Sequence, residues 1–223
     1  APMNNKVYAA NIKSNTITVI DLDGAGSSVL TSVPCGIIGV YIPFYGIRSG
    51  VEISPDEDYL LVAASFDDKL KVMDTETNDI VADLTVGDFP LAIAFNADGS
   101  RALVTNLFDH SYSLVRLDGA SSSVIETYSC QGDYPVDVGY NPAEELFYIC
   151  NYYSENGVKV DPETGEVVET FNHSLYGGSF KVDFWNDEPV FLTVGGDVYD
   201  AGVLYQGELV ELPASPSYMD LSE

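Results

Sequence analysis

A chain of 223 residues, 46% of them hydrophobic, is long enough to bury one core and short for two, so a single domain spanning residues 1–223 is expected. Lys and Arg number 9 against 35 Asp and Glu, and the formal charge of −26 repels nucleic acid and excludes it as a partner. No apolar run has the length of a membrane-spanning helix, so no transmembrane segment is expected.

In chain order, KVYAAN, TITVIDLD and SSVLTSV read as three short strands, none preceded by an inner partner. Residues 36–49, GIIGVYIPFYGIRS, form an apolar insertion. Residues 50–90 then hold one complete unit: four apolar runs (VEIS, YLLVAAS, LKVMD, IVADLTV) separated by polar turn clusters (PDED, FDDK, TETN, GDFP), the pattern of a four-stranded antiparallel meander. The unit recurs. Its first turn reads SPDE at Ser54, NADG at Asn96, NPAE at Asn141 and WNDE at Trp185. Its second strand ends as VAAS at Ser65, LVTN at Asn106 and YICN at Asn151, and its third as VMDTET, VRLDGA and VDPETG.

A period of about 40–45 residues with four strands is that of a propeller blade. With LVTN, LKVMDTET and the Gly-x-x-Pro turns GDFP and GDYP, the chain resembles the YVTN family of β-propeller repeats over nearly its whole length. The expected fold is all-β, a β-propeller of five four-stranded blades. SPSYMDLSE at the C-terminus reads as a first strand, and in this reading it completes the N-terminal blade, closes the ring and removes two open sheet edges.

Two rim features stand out. The insertion supplies Ile37, Ile38, Tyr41, Ile42, Phe44 and Tyr45, an apolar set that must be covered, as a channel plug, as a lid, or as a docking surface for a protein partner or a second copy. The loops after second and fourth strands pair aromatics with carboxylates, which suits a glycan or a cationic group. Phe108, Tyr152, Tyr153 and Tyr199 are the candidate ligand contacts, whereas Phe89 and Tyr134, in the Gly-x-x-Pro turns, read as packing. His110 and His173 lie on the same rim without metal-ligand spacing. Of the cysteines, Cys130 and Cys150 are the one pair worth testing for a disulfide, with buried thiols the simpler reading.

The strands expected to be innermost carry Glu52, Asp137, Asp183 and Asp220, and no nucleophile elbow, phosphate loop or Cys-x-x-Cys is present. The resemblance implies a non-enzymatic, extracellular, cell-surface or periplasmic propeller acting in adhesion, protein interaction or assembly, without a cofactor. The Ala-Pro start fits a mature exported chain. The alternative is a carbohydrate-active hydrolase or ligand-binding propeller that uses channel carboxylates, with calcium as an option. Convergence of two of those carboxylates in an open pocket discriminates in favour of the alternative.

Overall fold

The computed structural model describes residues 5–36, 40–42, 46–48, 50–154, 156–172, 179–194, 201–206 and 208–212. The first sheet is β1 (Lys6–Asn11), β2 (Thr16–Asp21) and β3 (Ser28–Pro34). A hairpin of β4 (Val40–Ile42) and β5 (Gly46–Arg48) follows, paired Val40 to Arg48. The second sheet is β6 (Val51–Ile53), β7 (Tyr59–Ala64), β8 (Lys69–Asp74) and β9 (Ile80–Thr85). The third is β10 (Pro90–Phe95), β11 (Arg101–Asn106), β12 (Ser111–Arg116) and β13 (Ser123–Ser129). The fourth is β14 (Pro135–Asn141), β15 (Leu146–Asn151), β16 (Asn156–Val160) and β17 (Val167–Asn172). The fifth is β18 (Ser179–Trp185), β19 (Glu188–Val194), β20 (Ala201–Tyr205) and β21 (Glu208–Leu212).

Each sheet is an antiparallel meander in sequence order. Four are four-stranded, matching the expected unit; the first shows three strands, with β1 at its inner edge. Residues 213–223, expected to supply the missing strand, lie outside the described residues.

Period-two alternation explains the continuous apolar runs of the second strands. On β7, Leu61 and Ala63 pack towards β10 and β11 of the next sheet, while Leu60, Val62 and Ala64 pack against Ile17 and Val19 of the previous one. Both faces are buried, so no polar alternation survives. The pattern repeats where Leu103 and Leu114 meet Phe147 and Ile149, and where Tyr148 and Cys150 meet Val182 and Phe191. Four inter-sheet cores result, each fully buried Val, Leu, Ile, Phe or Met side chain contributing roughly 1.5–3 kcal/mol. The outermost strands β9, β13 and β17 face water on one side, each with an exposed acid there: Asp83, Glu126 and Glu169.

Turn chemistry is as regular as the packing. Where the third strand ends, the Asp74 carboxylate accepts the N–H of Thr77, and Asp161 accepts that of Thr164, so VMDTET and VDPETG close the same turn. Asn78 and Gly165 then take the left-handed conformation, at φ 61° and 73°. At the other rim, the glycine of the Gly-x-x-Pro turn answers to close approach: a Cβ on Gly132 would collide with Asn151, Ser154 and Asn156. Asn106, Asp109 and Gly87 repeat that arrangement one sheet earlier.

Candidate functional site in the channel

Inner strands β6, β10, β14 and β18 pack side by side and enclose a cavity of about 740 Å³. It runs from Gly50, Leu91 and Lys181 at one end to Pro55, Ala97 and Pro142, in the turns that leave the inner strands, at the other. Bulges at the start of β10, β14 and β18, between Pro90 and Ile93, Pro135 and Asp137, and Ser179 and Lys181, set which residues reach the wall.

Charge is distributed unevenly round this wall. β10 contributes only apolar residues, Leu91 to Phe95, whereas β6 supplies Glu52, β14 supplies Asp137, and β18 supplies Lys181 and Asp183. Asp137 is 5% exposed; its Oδ2 accepts the backbone N–H of Val182 at 2.9 Å and lies 3.9 Å from Lys181 Nζ. Asp183 accepts the N–H of Phe184 at 2.9 Å. Glu52 is exposed into the cavity, yet the protein around the opening desolvates its carboxyl. That desolvation raises its carboxyl above the ordinary carboxylate range; the Lys181 ammonium pulls it back down, and the Asp137 charge pushes it further up. The cavity therefore holds a carboxyl that retains its proton to higher pH than usual, facing a hydrogen-bonded carboxylate and an ammonium.

Of the four channel carboxylates expected from the sequence, the structure brings Glu52, Asp137 and Asp183 together; Asp220 lies outside the described residues. Sequence reasoning passed over Lys181. A cation on an inner strand, in a chain with 9 Lys and Arg, was the available signal.

The rim candidates do not join this cavity. Phe108 and Tyr153 are 52% and 74% exposed, and Tyr152 is half-buried against the core between the fourth and fifth sheets. Tyr199 falls outside the described residues, as do Ile37, Ile38, Phe44 and Tyr45 and the side chains of Tyr41 and Ile42. Phe89 is buried as expected, but Tyr134 is 39% exposed and stands between His110 and Tyr153. Cys35, Cys130 and Cys150 are free, buried thiols. Cys130 and Cys150 occupy different inter-sheet cores, so they do not form the tested pair. Among the described residues no three His, Cys, Asp or Glu side chains gather for a metal ion, and Lys181 beside Asp137 opposes calcium there. No helix among the described residues is long and apolar enough to cross a membrane.

No protein-family model and no curated protein sequence matches the chain. Solved structures do, and they are β-propeller proteins. Hydrazine synthase of Kuenenia stuttgartiensis superposes with a TM-score of 0.72 at 16% identity, covering 94% of this chain and 63% of that one. The dihydro-heme d1 dehydrogenase NirN, in complex with DHE, gives 0.71 at 17%, covering 95% and 44%. Virginiamycin B lyase from Staphylococcus aureus gives 0.69 at 18%, covering 94% and 66%. The chain thus spans under two thirds of the length of the first two. At these identities the likeness establishes the propeller architecture. It also corrects the expectation of a non-enzymatic adhesion or assembly module: this architecture is shared with a synthase, a dehydrogenase and a lyase, and the channel is an open cavity with converging carboxylates.

Proposed function

We propose that the channel is a catalytic ligand site and that the protein is a carbohydrate-active hydrolase, with Glu52 as proton donor and Asp137 as its charged counterpart. One observation carries this reading: Glu52 and Asp137 share a single open cavity, and their surroundings treat them differently. Glycoside cleavage needs one carboxyl that holds a proton for the leaving oxygen and a second that is ionised. Burial and, against the pull of the Lys181 ammonium, the neighbouring Asp137 charge raise the Glu52 carboxyl; the Val182 N–H and Lys181 both address Asp137 Oδ2. A cavity of about 740 Å³ has the size of a small-molecule site and admits a short saccharide.

Glu52→Gln and Asp137→Asn, assayed on a panel of aryl glycosides and oligosaccharides, test the assignment. Loss of hydrolysis in both variants, with the fold retained, is the expected result. Hydrolysis at the parental level in Glu52→Gln sinks it.

We also infer that the repeats are of the YVTN type and that residues 215–223 pair with β1 to close a ring of five blades. LVTN with GDFP and GDYP supports the first point; the position of β1 at an edge of a three-stranded sheet supports the second.

A further inference from the structure

On the rim opposite the turns that leave the inner strands, the same pair of exposed side chains is built twice. The backbone carbonyl of Asp88 accepts the N–H of Phe108 at 3.2 Å, and one blade on, the carbonyl of Asp133 accepts the N–H of Tyr153 at 3.2 Å. Each exposed aspartate is thereby pinned beside an exposed aromatic ring of the neighbouring loop. The rings run in two connected groups. Phe66 meets Phe89 at 5.1 Å and Phe89 meets Phe108 at 4.6 Å; His110 meets Tyr134 at 4.9 Å and Tyr134 meets Tyr153 at 6.0 Å. Phe108 and His110 share one turn, which sets the two groups side by side as a strip across three blades.

Packing accounts for the buried Phe89. It leaves Phe66, Phe108 and Tyr153 unexplained, at 54%, 52% and 74% exposed. Beside them stand the exposed carboxylates Asp67, Asp88, Asp109 and Asp133; of the basic side chains on these loops, Lys69 is turned to the Thr85 hydroxyl, and His110 lies 3.6 Å from Asp133 through the Nδ1 that accepts the Tyr134 N–H. Aromatic faces bordered by carboxylates attract cations through the ring quadrupole and the charge together. A strip with two equivalent ring-and-carboxylate units in successive blades suits a ligand that repeats its cations along a chain.

We propose that this rim is the docking surface for an extended basic peptide segment of a partner protein, whose Arg or Lys side chains lie over Phe108 and Tyr153 with Asp88 and Asp133 as counter-charges. The site is separate from the channel and does not depend on the hydrolase reading.

The probe is a fluorescently labelled peptide of alternating Arg and Gly, followed by anisotropy at physiological salt. Phe108→Ala and Tyr153→Ala are each expected to weaken binding about threefold, and the double variant about tenfold, the scale of cation–π contacts at exposed sites. Because the whole chain is acidic, Asp88→Asn with Asp133→Asn is compared with Glu76→Gln plus Glu126→Gln, which remove the same charge away from the rim. Weakening confined to the rim pair supports the proposal. Equal weakening by both pairs, unchanged binding to the ring variants, or no binding to the intact protein overturns it, as does displacement of the peptide by a neutral oligosaccharide.

Discussion

The imidazole Nδ1 of His110 accepts the backbone N–H of Tyr134 at 3.0 Å, and one blade earlier the carboxylate of Asp68 accepts the N–H of Phe89 at the same distance. Two chemically different side chains thus perform one task, tying the loop after a second strand to the turn entering the next blade. All four residues have left-handed backbones, with φ between 53° and 59°. Replacing either acceptor by Ala should cost about 1 kcal/mol. His110→Asn keeps an acceptor and tolerates positive φ, so it should lose less. Urea unfolding of the three variants checks this order.

The glycines of the Gly-x-x-Pro turns should tolerate no side chain. A Cβ on Gly132 meets Asn151, Ser154 and Asn156, which hold the turn through hydrogen bonds that would have to break for them to move aside. Gly132→Ala should destabilise by roughly 1–3 kcal/mol. Calorimetry that finds the variant as stable as the parent would refute the close approach.

If Glu52 is the proton donor proposed above, it trades stability for activity. Its carboxyl pKa is raised in the folded chain above the ordinary 4.5, so the folded state holds that proton more tightly than the unfolded chain. Stability is therefore lost as pH rises from the ordinary carboxylate range through the raised value. Glu52→Gln should be more stable than the parent at neutral pH, with the difference vanishing at pH below 4.5, while hydrolysis is lost. Melting curves across that pH range read the crossover.

Asp137 should behave in the opposite sense. Removing its carboxylate strands the buried N–H of Val182 and takes the nearer carboxylate from beside Lys181, so Asp137→Ala should lose about 1–3 kcal/mol where Asp137→Asn retains part of it. Equal stability of the two variants would show that the Val182 contact carries nothing.

Burial, heading the causes, pushes the Cys130 thiol up to about 11, and Cys35 is raised by burial as well. In the folded protein at neutral pH neither should react with a disulfide reagent, and both should become reactive together in denaturant. Fast labelling of Cys130 in the native state would contradict its enclosure between blades.

The repeat was legible in the sequence because its signals are local. Asp74 and Asp161 close a turn over three residues, and runs such as YLLVAA are apolar because alternate residues enter two different cores. Meander order and strand limits follow from such short-range chemistry. The position of Glu52, Asp137 and Asp183 on inner strands could be read in the same way, but their convergence could not, since it depends on the three bulges that set the wall register and on strands far apart in the chain meeting round one axis. Lys181 acquires meaning only there, 3.9 Å from a carboxylate on the neighbouring blade. The resemblance to exported repeat proteins favoured adhesion. What only the tertiary structure supplies is the surroundings of Glu52, because the walls and charges that raise its carboxyl come from three different blades and no spacing within a blade encodes them.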